Sequence, residues 1–451
     1  MMAMGKWRNL MHLFVTVFLS YFASLVVNPT IADVTMEAVC PGKDECSLAI
    51  YLSGFQQAIA GIGSVIMMPL IGNLSDRYGR KVLLTIPLSI AIIPFAILGV
   101  KRSKEFFYVY YVTKTLTAMV TDGGVMCISG SYLADNVGEG SRVSAFGILS
   151  GVVSAATVCG TLAARLLPIA TIYQVATVVA VVAALYMRIF LEEKEKETTT
   201  TASTLEHPIL KPASASASAG GGPIKNVIPM PKDIIRLLKS SVTVSLASFV
   251  AFFNSLAEAG VQAFLMYYLK ARFHFQKDQF ADIWLITYIA ATISNMVLMP
   301  TLGLLVGEET LLCIGLFAGF LNMLLDSVAW ATWVPYASAL LGIFLFLAAP
   351  SIRCIISKQL GPYEQGIGQG CLMGIASFAN VISPLIYSPL SALFLSDGAP
   401  FYFPGFSMLC VGLAWFIAFI LSIVIKFRPF FSRDAATQRS QDHQRQPCLL
   451  A

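Results

Sequence analysis

Apolar runs of about 20 residues recur along the whole chain and constrain its fold more than any other feature, because that length crosses a bilayer as a helix. "LMHLFVTVFLSYFASLVV", "YLSGFQQAIAGIGSVIMMPLI" and "VLLTIPLSIAIIPFAILGV" are the first three. Breaking the chain at charge clusters, prolines and glycines predicts twelve spans. They cover 8–30, 48–71, 81–100, 106–134, 143–168, 169–191, 239–268, 279–305, 309–330, 333–358, 366–395 and 401–426. Soluble globular chains are about 25% charged; this one is 12% charged and 57% hydrophobic, too little charge for a water-facing surface. The runs are longer than the roughly ten alternating residues of a barrel strand. The expectation is an all-α polytopic membrane protein of 12 transmembrane helices in two six-helix bundles. The first run is too long for a signal-peptide core and lacks a small-residue cleavage site, so it is read as a retained helix.

One long polar stretch interrupts the pattern. It opens "EEKEKETTTTAST" and continues through "KPASASASAGGGP", a flexible Ser/Ala/Gly-rich linker. The expected organisation is a bundle over 1–191, a cytoplasmic linker over 192–238, a second bundle over 239–427 and a cytoplasmic tail over 428–451. Lys and Arg are in excess on the side of the termini and linker, which predicts that both termini are cytoplasmic. "KRSKE" at 101–105 falls on the other side and argues against it. Cys40 and Cys46 share the first outer loop, where oxidising conditions permit a disulfide. The chain ends in Cys448-Leu-Leu-Ala451, a prenylation pattern for which a chain with twelve spans has no need.

Between the second and third runs stands "GNLSDRYGRK", residues 72–81. Two helices that reverse within a few residues need glycine where backbones crowd, hence Gly72 and Gly79. Arg77, Arg80 and Lys81 suit the cytoplasmic side. Asp76, one acid beside three bases, reads as a geometric partner for an arginine or a helix N-terminus.

This stretch resembles the G-x-L-a-D-R-x-G-R-K loop of the major facilitator superfamily, at its usual place between helices 2 and 3. "ADNVGEGSRVSAFGILSG" and "GPYEQGIGQG" are similar to the branch that holds tetracycline/proton antiporters and hippocampus-abundant-transcript-like proteins, those of plants especially. The resemblance implies a conformational latch, with Asp76 and Arg80 closing on backbone around Gln365–Gly370. The plain alternative is a tight turn carrying positive charge. In the second half "GLLVGEETLL" lacks the Asp and Arg, so the latch is expected on one side only. Antiporters of the superfamily often carry G-P-x-x-G-G in helix 5; "GVVSAATVCGTLAARLLP" has no Gly-Pro pair, which weakens antiport specifically.

Ionisable residues inside the membrane are costly, about 2.5–3.5 kcal/mol on insertion scales, and mark function by default. Asn254, Glu258 and Gln262 lie at i, i+4 and i+8 on one face of helix 7, which predicts a polar wall of an aqueous cavity with Glu258 as proton carrier. Lys114 and Asp122 on helix 4 are two turns apart, read as too far for a direct bond but able to share the cavity wall. Lys114 stands where the resemblance implies a helix-4 arginine, a candidate for binding an anionic substrate group or regulating a carboxylate. Asp33 marks either the vestibule or the interface. The plain alternative for all four is mutual neutralisation that holds helices together. Arg353 and Asp326 are set aside as helix-end residues able to snorkel.

No phosphate-binding Gly-x4-Gly-Lys-Ser/Thr loop, no paired metal-binding histidines among residues 12, 207, 274 and 443, and no Gly-x-Ser-x-Gly elbow occurs, so an enzyme is not expected. The reading is a proton-coupled secondary active transporter of a small organic solute working by alternating access. It needs no cofactor, metal or nucleic acid, acts as a monomer in the lipid bilayer, and resides in the plasma membrane or a vacuolar or other endomembrane. The reading from another class is a non-transporting sensor or scaffold that keeps the fold.

Overall fold

A computed structural model describes residues 2–39, 41, 47–193, 241–275, 277–361, 364–394, 400–401 and 403–445. All of the expected linker but residues 192–193 thus lies outside the described residues, as do Cys40, Cys46 and Cys448. Among the described residues the ordered elements are helices. They are α1 (Met2–Leu25), α2 (Ser47–Tyr78), α3 (Arg80–Val100), α4 (Lys104–Asn136), α5 (Glu139–Leu166) and α6 (Ile169–Phe190). The second six are α7 (Val242–Phe273), α8 (Lys277–Ile293 extended to Val306), α9 (Glu308–Ser327), α10 (Val334–Lys358), α11 (Gln365–Phe394) and α12 (Phe406–Arg445). A short helix, Ile31–Val39, joins α1 to α2 and carries Asp33, whose side chain is outside the described residues.

Eleven of the twelve are long and apolar enough to cross a membrane. The other is α4, whose 33 residues span about 50 Å but include Lys114, Asp122 and Asp135. Length qualifies it; its charged groups lower its hydropathy, and of these Asp122 is exposed.

Three helices break their regular pitch, and each break holds or adjoins the carbonyl four residues before a proline. Pro94 supplies no amide to Ile90, and α3 is interrupted at Ala91. Pro300 follows a π turn at Ser294–Leu298 in α8. Pro350 follows a 3-10 stretch at Gly342–Leu347 in α10. α7 starts on Ser241, whose Oγ accepts from the Thr243 amide at 3.2 Å.

The chain ends and the ends of the linker gather on one side, the termini face. Asn9 donates to Glu192 at 3.1 Å, Ser241 to Gln359 at 3.3 Å and Arg428 to Thr243 at 3.0 Å. Two of the three apolar cores belong to one half each. One packs Leu256, Phe264, Leu316 and Trp415 of the second half; another packs Val26, Phe95, Phe107 and Tyr173 of the first, away from the termini face. The third crosses between the halves near the termini face, joining Leu13, Leu84, Leu133 and Phe146 to Met299, Leu311, Leu347 and Cys354. The halves are therefore sealed together at the termini face. Outward-turned Val82, Ile86, Val182, Leu304, Leu385 and Ile420 remain exposed, as a lipid-facing surface requires.

Candidate functional site: a cross-half clasp and a charged cavity

At the termini face α2 reverses into α3 at Gly79, whose φ of +97° is a backbone state that costs other residues energy. A Cβ there would also collide with Glu193, which follows α6. The turn directs Asp76 towards the start of α11. Its carboxylate accepts the Gly366 amide at 3.0 Å and the Ile367 amide at 2.9 Å, two donors that the helix itself leaves unused. Arg80 donates to Asp76, to the Ser75 hydroxyl, and through Nε to Asp135 at 3.0 Å. The side chains of Arg80 and Asp76 are only 10% and 6% exposed, so this is a buried charge network and not a surface pair. Arg77 is exposed. Gly72 lies against the Gly366 carbonyl.

Two residues of this clasp escaped the sequence reading although both lie inside the quoted "ADNVGEGSR". Asp135 is the second acceptor of Arg80. Arg142 crosses between the halves, donating to the Ser357 carbonyl at 3.0 Å and to the Ala134 carbonyl at 3.1 Å. Gln365 folds back on its own loop, donating to the Ser357 and Leu360 carbonyls at 2.9 Å each.

The second half repeats the turn with its charges inverted. Gly307, φ +77°, precedes Glu308 as Gly79 precedes Arg80, and Glu308 meets Lys358 at the end of α10 at 2.6 Å. Arg80 meets Asp135 at the end of α4 in the same way. Leu304 stands where Asp76 would, so the repeat keeps the pair within its half and loses the carboxylate that reaches across. Glu308→Gln is expected to cost about 1 kcal/mol, and exchanging both charges to restore it, read as melting temperatures of the purified protein.

The ionisable residues of the interior converge between the halves. Asn254 donates to Glu258 at 2.9 Å and accepts from Trp415 Nε1 at 3.0 Å. Asn254 is thus buried at 3% exposure and anchors Glu258, whereas the sequence placed it on an open cavity wall. Gln262, one turn on, is exposed. Lys114 and Asp122 form a direct ion pair at 3.3 Å, against the expectation that eight residues separate them too far. Their rise is about 12 Å, but Asp122 leans back toward the N-terminus of α4 and the lysine chain extends along the small and threonine-rich face to meet it.

Arg353 corrects the sequence reading most. It does not snorkel: its Nη1 is buried without an acceptor among the described residues, and Nη2 contacts Met373 Sδ at 3.6 Å. Gln369 donates to its carbonyl at 3.4 Å. Tyr21 of α1 and Glu258 of α7 lie within range of its charge, and Tyr21 within range of Asp122. Asp326 does not snorkel either. It is 2% exposed and accepts from Ser338 at 2.6 Å inside the second bundle. Arg353 of α10 thus shares the interior with groups from α1, α4 and α7, on the inner side of the seal at the termini face.

The profile described as the Major Facilitator Superfamily matches residues 13–372. Hippocampus abundant transcript 1 protein of Mus musculus is 23% identical over 443 residues, covering 96% of this chain and 78% of that protein. Tetracycline resistance protein, class C, of Escherichia coli is 22% identical over 382 residues, covering 82% of this chain and 85% of that one. Among solved structures, the human organic anion transporter TETRAN superposes with a TM-score of 0.74 at 16% identity, covering 92% of this chain and 99% of that one. The E. coli fucose:proton symporter FucP superposes at 0.69 and 12% identity, covering 92% and 98%. The family match over most of the chain, together with the fold, makes this protein a member of the major facilitator superfamily, a multi-pass membrane transporter and not an enzyme.

Proposed function

We propose that the chain is a secondary active transporter that carries a small organic solute through the cavity between its halves and couples that movement to protons at Glu258. The observation that carries this reading is a carboxyl group fixed by Asn254 in an apolar helix, near an arginine to which no ion pair binds it among the described residues. A scaffold gains nothing from an acid in that position, whereas a carrier needs a group that takes a proton on one side and releases it on the other. The name of the fucose:proton symporter supports coupling within this fold.

In the same proposal both termini are cytoplasmic, so the sealed face is the cytoplasmic one and the cavity faces outward. Asp76 and Arg80 then act as the latch of that state, with Gly72 and Gly79 allowing the approach. Alternating access requires this contact to break each cycle, which suits hydrogen bonds to a helix end better than an apolar seam alone.

The test uses purified protein in liposomes that enclose a pH-sensitive dye, with small organic anions, cations and neutral compounds added singly under an imposed pH gradient. Wild type is expected to show solute-dependent proton movement, and Glu258→Gln to return it to the protein-free background. Coupled flux that survives in Glu258→Gln removes the carrier role.

A further inference from the structure

The interior charges do not all find partners among the described residues. Lys114 and Asp122 satisfy each other at 3.3 Å. That leaves Arg353 of α10 and Glu258 of α7, and no ion pair joins them among the described residues. Glu258 is tethered instead to Asn254, which is held by Trp415. Arg353 keeps Nη1 buried with no acceptor among the described residues and turns Nη2 to a thioether, a weak acceptor for a guanidinium. The titratable groups around the two are few. Tyr288 of α8 lies within reach of the Glu258 charge, and Tyr21 of α1 within reach of both the Arg353 and the Asp122 charge. Cys127 of α4 is buried within range of Arg353. α11 contains no charged residue, and the charges of α12 begin at Lys426, at the termini face. A buried guanidinium without an acceptor is costly, so this one is built to receive an anion.

We propose that Arg353 binds a carboxylate or other anionic group of the transported solute, and that Glu258 competes with that anion for the same guanidinium. This rests on the assignment of Glu258 as proton carrier and deepens it. Charge balance then dictates the coupling. An empty cavity is neutral when ionised Glu258 offsets Arg353; a loaded cavity is neutral when the solute offsets Arg353 and Glu258 holds a proton. The two mixed states carry an uncompensated charge in a low-dielectric interior, and a change of conformation that moves them through the membrane is disfavoured. One monoanionic group and one proton therefore travel together, in the same direction. The absence of a Gly-Pro pair in α5 accords with symport.

The experiment measures binding and transport separately on the full-length protein. Binding is read as the ligand-induced change in melting temperature in lipid nanodiscs, with benzoate, succinate and methylphosphonate set against benzamide and benzylamine. Wild type is expected to be stabilised by one or more of the anions and not by the amide or amine, more strongly at acidic than at alkaline pH. Arg353→Gln abolishes the shift, and Arg353→Lys keeps a weakened one, which separates lost recognition from lost folding. Glu258→Gln binds the same anion about 5- to 150-fold more tightly than wild type at alkaline pH, because the competitor is gone, the range expected of coupled sites.

Anion binding that survives in Arg353→Gln, or no anion effect in wild type, overturns the proposal. Proton flux driven only by benzylamine or benzamide overturns it while leaving Glu258 as carrier. Anion binding through Arg353 that is blind to pH and to Glu258→Gln overturns the competition, and the proton-coupling assignment with it.

Discussion

Asp76→Asn is expected to unseal the termini face and expose Cys127. Asparagine keeps the size of the side chain but removes the charge that two amides of α11 and the Arg80 guanidinium share. Breaking a buried ion pair by neutralising one partner costs about 3–5 kcal/mol, because the other charge stays buried. Arg80 keeps Asp135 at 3.0 Å, so the lower end of that range applies. A shift of about 3 kcal/mol multiplies the population of the alternative conformation by about a hundred. Cys127 is an internal reporter of that shift. Its side chain has no exposure and its Sγ lies 3.9 Å from the Gly366 carbonyl, inside the seal. Maleimide labelling, read peptide by peptide by mass spectrometry, should therefore speed up at Cys127 by about two orders of magnitude in Asp76→Asn, with exposed Cys159 as the unchanged internal standard. Equal Cys127 rates in wild type and variant would remove Asp76 from the latch.

How far the sequence foretold this depends on what each feature required. The twelve helices were readable because a bilayer demands about 20 apolar residues of each, and α4 was found despite its charges because apolar residues flank them. The turn at residues 72–81 was readable because the elements of its motif are contiguous: a glycine, an acid and a base within ten residues. Asp135 and Arg142 were not, since their partners lie 55 and 215 residues away. Arg353 was misread for a different reason. Distance from a helix end says nothing about which face a side chain occupies, and a snorkelling argument assumes a lipid-facing one. α10 turns Arg353 inward beneath α11, where its head cannot reach the interface. Asp326 fails the same assumption, held by Ser338 on the inner side of α9 and α10. The ion pair of Glu308 with Lys358 becomes visible only when Gly79-Arg80 is laid over Gly307-Glu308, a comparison that needs the fold repeat. Gly366-x3-Gly370-x3-Gly374 was legible as a small-residue stripe and was passed over.

That stripe gives the second large effect. α2 and α11 cross so closely that a Cβ at Gly370 would sit 2.4 Å from the Met68 carbonyl oxygen, and one at Gly72 2.1 Å from that of Gly366. Gly374 tolerates more, with its nearest neighbour, the Val65 carbonyl, at 3.2 Å. At the first two positions the obstacle is backbone, which cannot rotate away, so the helices must separate. Gly370→Val should therefore exclude the sealed state, label Cys127 at the full unhindered rate and stop transport, because one of the two conformations that transport needs is lost. Asp76→Asn differs in kind: it raises the energy of the sealed state without forbidding it, and slower transport should remain. Gly140→Ala, with nothing within 4 Å of the added carbon, serves as the control that labels and transports as wild type. Should Gly370→Val keep Cys127 protected while remaining folded by its melting curve, the α2–α11 seam is not the surface that parts when the transporter changes state. Charge sets how often the face opens, and glycine sets whether it can close.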